Sequence, residues 1–377
     1  MRTGTTVRAA AVGAATLMMI TACGDGGGAD GAGPDAELSL VTGVYPLEWL
    51  AGQVGGDRVT VTQLTEPGAE PHDLELTGRQ LGEVTDADLA FYVSGLQPAV
   101  DEAVEQQAPD TALDVADVVE LHPVAEGGGH DHSEEEHSDE EHAEEGHDHS
   151  EEGHDHAEDG HSEEEGHTEE EHGHSDEEHT EESHSDEARE EGHAEEEGDG
   201  HDHGEFDPHF WLDVDLMAET AHALADRMAE IDPEGAATYT DNAEAVAAEL
   251  AAIGQEYDEG LASCTHREVV VGHTAFSYLT EAYGLEQIGV SGIDPDTDPS
   301  PSQIAAIADT VEELGIGTVF TEPLMPPETA ETIAAESGAE VAVLDPLEGV
   351  TEDSPGDDYP SIMRGNLEAL TTALECS

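Results

Sequence analysis

The sequence has no lysine and little positive charge of any kind. Only 8 of its 377 residues are basic, all of them arginine, against 93 Asp and Glu, which gives a formal net charge of -85. A chain this acidic repels a phosphate backbone, so nucleic-acid binding is excluded. The longest apolar run, Ala9 to Ile20, is shorter than the roughly 18 residues that a transmembrane helix needs. Aromatic residues make up only 4%, which would indicate disorder if the composition were uniform along the chain.

The charge is concentrated in one acidic, His-rich block at residues 126–205. These 80 residues hold 37 acidic side chains, 17 His and one Arg, and their only apolar side chains are four Ala. Such a block buries no apolar surface, so we predict a disordered loop. Its four Gly-His-Asp-His repeats place imidazole pairs in a negative field, which favours weak metal binding, although a solvated linker explains the block equally well. The repeat histidines are His130, His132, His147, His149, His154, His156, His201 and His203.

The N-terminus has the features of an export signal. Arg2 and Arg8 precede a short apolar run, and small residues precede Cys23. This ending resembles the bacterial lipobox, which implies a signal peptide at 1–22, a lipid on Cys23 and an extracytoplasmic protein anchored to the cell membrane. The Gly-rich residues 23–35 then form a flexible tether. The alternative is an ordinary signal peptide with an incidental cysteine.

Two cysteines remain once Cys23 is assigned to the lipid. Export places Cys264 and Cys376 in an oxidising compartment, and an even number of cysteines there favours a disulfide. Two free thiols are the alternative.

Outside the block, short apolar strands alternate with helical segments, which indicates an α/β fold with parallel sheets. Strand patterns such as Leu38 to Thr42 and Glu268 to Val271 occur on both sides of one long helical pattern, Pro233 to Leu261. We therefore predict two lobes, each with a parallel sheet flanked by helices, joined by one long helix, with a metal site in the interlobe cleft. The predicted parts are an N-terminal lobe at 36–125 plus 206–232, a linking helix at 233–262 and a C-terminal lobe at 263–377.

Four positions carry a metal-capable side chain where this fold exposes it to the cleft. His72 follows a proline-bounded turn, His209 follows the acidic block, and His273 and Asp345 each end a predicted strand. A single histidine near a strand end is more often a capping or packing residue, and Asp345 before Pro346 is also a typical turn start. The conjunction of two such positions in each lobe favours a shared metal site.

The motifs around these positions resemble the cluster A-I substrate-binding proteins of ABC transporters, in particular their zinc-uptake branch. The motifs are Pro67-Gly68-x-x-Pro71-His72, Gly95-Leu96-Gln97-Pro98, Asp207-Pro208-His209-x-Trp211-Leu212, Gly272-His273-x-Ala275-Phe276 and Leu344-Asp345-Pro346. The resemblance implies that His72, His209, His273 and Asp345 are the ligands. It also implies a monomer that captures Zn²⁺ and delivers it to a cognate ABC permease and its ATPase. Some relatives have a Glu directly before the first ligand, where this chain has Pro71.

Three imidazoles and one carboxylate form the four-coordinate set that Zn²⁺ prefers, whereas Mn²⁺ favours more oxygen ligands. Because four protein ligands close the coordination shell, and because no HExxH or GxSxG motif is present, the sequence favours binding over catalysis. The alternatives are a manganese-binding protein of the same family, a surface adhesin, a metal buffer driven by the His-rich block, and a metalloenzyme.

Overall fold

A computed structural model describes residues 38–124, 206–295 and 297–377. The predicted signal peptide, Cys23, the tether and the acidic block with its eight repeat histidines lie outside these residues. Within the described ranges no helix combines the length and the apolar character that crossing a membrane requires.

The first half of the chain forms a four-stranded parallel sheet with the order β2-β1-β3-β4. Its strands are β1 (Leu38–Thr42), β2 (Val59–Gln63), β3 (Leu89–Tyr92) and β4 (Ala112–Asp114). The helices between them are α1 (Tyr45–Gly55), α2 (Gly78–Asp86) and α3 (Pro98–Gln107). The sequence pattern missed β4, because three residues without an apolar run give no strand signal.

The second half repeats this arrangement with the order β6-β5-β7-β8, again all parallel. Its strands are β5 (Glu268–Val271), β6 (Glu286–Gly289), β7 (Thr318–Thr321) and β8 (Glu340–Val343). The helices here are α6 (Ser277–Ala282), α7 (Pro301–Leu314), α8 (Glu328–Ser337) and α9 (Tyr359–Ala373). The two parallel sheets flanked by helices confirm the predicted fold class.

Each sheet is covered on both faces, which explains why the central strands β3 and β5 are apolar at successive positions. In β1, Leu38 and Leu40 face a large core cluster, whereas Val41 belongs to a smaller cluster on the opposite face. In β5, Val269 and Val271 face the same large cluster, and Val270 faces a third one. The large cluster therefore runs through both halves of the molecule.

Two long helices, α4 (Val214–Ile231) and α5 (Ala236–Gly260), pack along each other between the sheets. The helix predicted from Pro233 begins at Ala236, because Asp232 organises a turn before it. The Asp232 carboxylate accepts hydrogen bonds from the Arg58 guanidinium at 2.6 Å and from the Tyr239 hydroxyl at 2.7 Å. The helix also packs on α1 and on α9, so it contacts both lobes.

Aromatic side chains join the two halves at their boundary. Trp49 of α1 stacks on Tyr359 of α9, with ring centroids 4.7 Å apart. The Tyr359 hydroxyl donates to the backbone oxygen of Trp211 at 2.6 Å, and the Trp211 indole donates to the backbone oxygen of Pro346 at 2.7 Å. A disulfide between Cys264 and Cys376, 112 residues apart, confirms the predicted pair and ties the end of the chain to the start of the second half.

Candidate metal centre

The first histidine, His72, lies in a loop after β2 that neighbouring polar groups hold in place. The Gln97 side-chain amide donates to the backbone oxygen of Pro71 at 2.9 Å and to the Thr65 hydroxyl at 2.8 Å. Glu70 accepts a hydrogen bond from the His72 backbone N–H at 3.1 Å, so this carboxylate shapes the turn. The Gly95-Leu96-Gln97-Pro98 motif therefore supports the histidine motif from a distance in sequence.

The second histidine, His209, is fully buried, and Asp207 orients its ring. The Asp207 Oδ1 atom accepts from the His209 backbone N–H at 3.0 Å and lies 2.7 Å from its Nδ1 atom. A carboxylate on Nδ1 fixes the ring so that Nε2 faces a metal.

The third histidine, His273, follows β5 and has the same kind of partner in Glu322. The Glu322 carboxylate accepts from the His273 backbone N–H at 2.9 Å and lies 2.6 Å from Nδ1. A Cβ atom on Gly272 would lie only 2.5 Å from Glu322 Oε1, so the glycine of this motif is needed for the carboxylate to reach the histidine. Sequence reasoning missed Glu322, although its place directly after β7 was a usable signal.

The structure differs from the sequence prediction at the fourth member of the site. Glu348, not Asp345, lies with the three histidines. Asp345 instead accepts a hydrogen bond from the Leu347 backbone N–H at 2.8 Å, which is an Asp-initiated turn. Leu347 is fully buried with a φ of 65°, in the left-handed region, and this reversal directs the next residue, Glu348, into the site.

The four side chains His72, His209, His273 and Glu348 offer ligand atoms that all lie within 4.8 Å of one another. The Glu348 Oε1 atom lies 3.2 Å from His72 Nε2, 3.0 Å from His209 Nε2 and 3.2 Å from His273 Nε2. All four are buried, with at most 8% of any residue exposed. Two histidines come from loops of the first half, and His273 and Glu348 come from the second. The centre therefore spans the boundary between the halves, as predicted.

Burial and neighbouring carboxylates shift the pKa values of the three histidines. Burial alone would lower the pKa of His209, but Asp207 and Glu348 outweigh this effect and raise it. The pKa of His273 is likewise raised well above its ordinary value, because Glu322 and Glu348 overcome the effect of burial. Burial lowers the pKa of His72, and Glu348 beside its ring offsets this effect only in part.

Glu348 and Asp207, two of the carboxylates that face these rings, stay ionised for the same reason. Burial would raise the pKa of Glu348, but His273 and the other rings hold it well below the ordinary range. Asp207 behaves in the same way beside His209, and its pKa is lowered. An anionic carboxylate at the centre of three Nε2 atoms is a donor set for a divalent cation, with three nitrogens and one oxygen as Zn²⁺ prefers.

Comparisons with known proteins agree with this geometry. The family model described as ZnuA, "Zinc-uptake complex component A periplasmic", matches residues 40–373. The zinc-binding protein AdcA of Streptococcus pyogenes is 29% identical over 339 residues, which is 89% of this chain and 56% of that protein. The high-affinity zinc uptake system protein ZnuA of Bacillus subtilis is 28% identical over 366 residues, 96% of this chain and 95% of that protein. The chain thus spans little more than half the length of the AdcA relatives.

Among solved structures, the laminin-binding protein Lmb of Streptococcus agalactiae has a TM-score of 0.63 and 25% identity. The match covers 89% of this chain and 99% of that one. That protein is described as bifunctional, with adhesin and metal-transporting activity.

Proposed function

The chain belongs to the ZnuA family of periplasmic zinc-uptake components, and from this premise we propose that it captures Zn²⁺ outside the cytoplasm and delivers it to an ABC permease. The family is a binding component of a transport system, and the proposed role is not enzymatic. The permease, its ATPase and a monomeric state are part of the proposal.

The observation that carries the proposal is the buried group of His72, His209, His273 and Glu348. Four protein ligands close a tetrahedral shell, which suits tight capture and leaves no position for a reacting water. Because the ligands come from both halves of the molecule, metal binding depends on how the halves meet. A permease can then distinguish loaded protein from empty protein by that arrangement.

The test is zinc stoichiometry and affinity of the purified protein, measured by chelator competition, with variants of the site. We expect one tight site per chain that His209→Ala and Glu348→Gln each weaken by more than 100-fold. His222→Ala is the matched control, since this histidine lies on α4, outside the group. Equal affinity in all four proteins would rule out the proposed site.

Zinc is favoured over manganese because nitrogen ligands predominate. Mn²⁺ prefers carboxylate and carbonyl oxygens, and only Glu348 supplies one here. Direct competition between the two ions on the same protein tests this preference. Manganese displacing zinc at equal concentration would support the manganese alternative. The Lmb protein is described as an adhesin as well as a metal transporter. Among the described residues of this chain, no surface favours adhesion.

The acidic block and the anchor complete the proposal. Residues 126–205 would collect or buffer zinc through their repeat histidines and pass it to the tight site. Deleting them should reduce uptake when zinc is scarce and leave the tight site intact, whereas an unchanged uptake curve would refute the buffering role. A lipid on Cys23 would hold the protein at the membrane, and Cys23→Ala should release it into the soluble fraction of the cells.

A further inference from the structure

Two consecutive side chains at the start of α6 reach from the second half of the molecule to the segment that carries His209. The Ser277 hydroxyl donates to the Oδ2 atom of Asp207. The Tyr278 hydroxyl donates to the backbone oxygen of the same residue at 2.7 Å. Both come only a few residues after His273, so the chain that supplies one ligand also contacts the partner of another.

Asp207 divides its two carboxylate oxygens between the halves. Its Oδ1 atom serves the backbone and the ring of His209, and its Oδ2 atom receives the Ser277 hydroxyl. The residue is 3% exposed, so water does not compete freely for either oxygen. A rotation of this carboxylate would turn the His209 ring, and Ser277 opposes that rotation.

Tyr278 also contacts both of the chain segments that adjoin the acidic block in sequence. Its hydroxyl accepts from the His122 backbone N–H at 2.9 Å, and the His122 ring stacks on the tyrosine with centroids 4.1 Å apart. The Asp207 backbone N–H in turn donates to the backbone oxygen of His122 at 2.8 Å. A bridge between Pro123 and Phe206 continues this pairing. One buried hydroxyl therefore fixes both segments.

We propose that Ser277 and Tyr278 are positioning residues for the metal centre, which set the His209 imidazole from the opposite half of the molecule through Asp207. The metal ligands are then assembled only when α6 contacts residues 207–209. Any movement that lifts α6 away removes the orientation of His209 and loosens the metal. This inference rests on the proposed function, because it specifies how the same site is assembled and released.

Ser277 and Tyr278 act through Asp207, which is the outer partner of the ligand His209, so we expect an effect near the lower end of the range for such partners. Removing such a partner typically lowers metal affinity about 10- to 100-fold. Because the ligands themselves stay in place, we expect most of the loss to appear as faster metal release.

The test uses the full chain with four variants, and His209→Ala serves as the reference for loss of a ligand. Ser277→Ala and Tyr278→Phe each remove one hydroxyl, and Ser277→Thr keeps a hydroxyl at the same place. Tyr283→Phe is the matched control, because the Tyr283 hydroxyl has no hydrogen bond to the residues that the structure describes. The measurements are zinc affinity by chelator competition, the zinc release rate by stopped flow, and the visible spectrum of the Co²⁺-loaded protein. Thermal unfolding of the metal-free proteins separates a change in the site from a loss of the fold.

We expect Ser277→Ala and Tyr278→Phe to lose about tenfold or more in affinity, to release zinc faster and to show an altered Co²⁺ spectrum. Ser277→Thr and Tyr283→Phe should both match the wild type in zinc affinity, release rate and Co²⁺ spectrum. The inference is overturned if both hydroxyl deletions keep affinity and release rate within about twofold of wild type, or if Ser277→Thr is as impaired as Ser277→Ala. The His209→Ala variant separates failure of the proposed function from failure of the positioning role. If the wild type binds zinc no better than this variant, the proposed function fails. If the wild type binds zinc tightly and Ser277→Ala binds it equally tightly, only the positioning role is refuted.

Discussion

Replacing the carboxylate by an amide should have different effects on zinc affinity at Glu348 and at Asp345, so this pair of residues tests the ligand set. Glu348→Gln and Asp345→Asn each replace one charged oxygen by a neutral amide nitrogen of similar size. Glu348 Oε1 lies within 3.0–3.2 Å of three imidazole nitrogens. Asp345 lies outside that group and serves the turn before it.

The size of the two effects follows from these positions. A change in an outer partner costs roughly 10- to 100-fold in metal affinity. Loss of the only anionic ligand should exceed that, so we expect more than 100-fold for Glu348→Gln, or over about 2.7 kcal/mol. Asparagine at 345 keeps the oxygen that accepts from Leu347, so we expect its zinc affinity to change less than the lower end of that range.

Asp345→Asn should instead change the stability of the metal-free protein. Burial raises the pKa of Asp345 from 3.8 to about 6, and its Oδ2 atom has no hydrogen-bond partner among the residues that the structure describes. An acid with a raised pKa destabilises the fold when it ionises, so the wild type should lose stability as the pH rises from about 4 to 6. At 1.36 kcal/mol per pH unit, the cost is at most about 3 kcal/mol. The asparagine variant should lack this loss in urea unfolding at pH 7.

Chelator competition at pH 7.5 with both variants and the wild type decides the assignment. Tight zinc binding by Glu348→Gln together with its loss in Asp345→Asn would refute the reasoning and restore Asp345 as the ligand. Circular dichroism of each metal-free variant is the control for folding.

Three further predictions concern protons, metal choice and the disulfide. Because the pKa values of His209 and His273 are raised, protons compete with the metal for these rings, and zinc affinity should fall as the pH is lowered. Once both rings are protonated in the metal-free protein, the fall should be roughly 100-fold per pH unit. Zinc titrations between pH 5.5 and 8 measure this dependence, and an affinity that does not change with pH would contradict it. His273→Glu exchanges a nitrogen ligand for an oxygen, so competition titration should show the zinc preference over manganese narrowed by about tenfold or more; an unchanged ratio would argue against a role of His273 in selectivity. Replacing Cys264 and Cys376 by Ala should lower the free energy of unfolding by about 4–5 kcal/mol and spare zinc affinity; equal urea midpoints would show that the cross-link adds nothing.

Sequence reasoning identified the architecture and three of the four residues that meet. His72, His209 and His273 were found because each occupies a short motif with Gly or Pro, and such motifs fix local backbone geometry. The central strands β3 and β5 were also predictable, because a sheet covered on two faces gives its central strands continuous apolar runs.

The fourth position failed for a local reason. Asp345 ends a strand pattern and precedes proline, which is the signal of a ligand and equally of a turn. The deciding fact is the positive φ of Leu347, a conformation that a leucine seldom adopts and that no residue pattern announces. Glu322 was missed for another reason, since its pairing with His273, 49 residues away in sequence, is visible only after folding. Asp207 lies two residues before His209, so its place in the sequence already put it beside that ligand.

The aromatic boundary limits how far the two halves of the molecule can separate. Separating the two halves widely would expose Trp211, Tyr278 and Tyr359 to water, and all three are less than 2% exposed in the structure. Each such ring hides about 150–250 Å², so hydrating one costs roughly 4–6 kcal/mol. Three rings together exceed the thermal energy many times over. A movement that opens the metal centre must then be small and local, while the aromatic boundary stays closed.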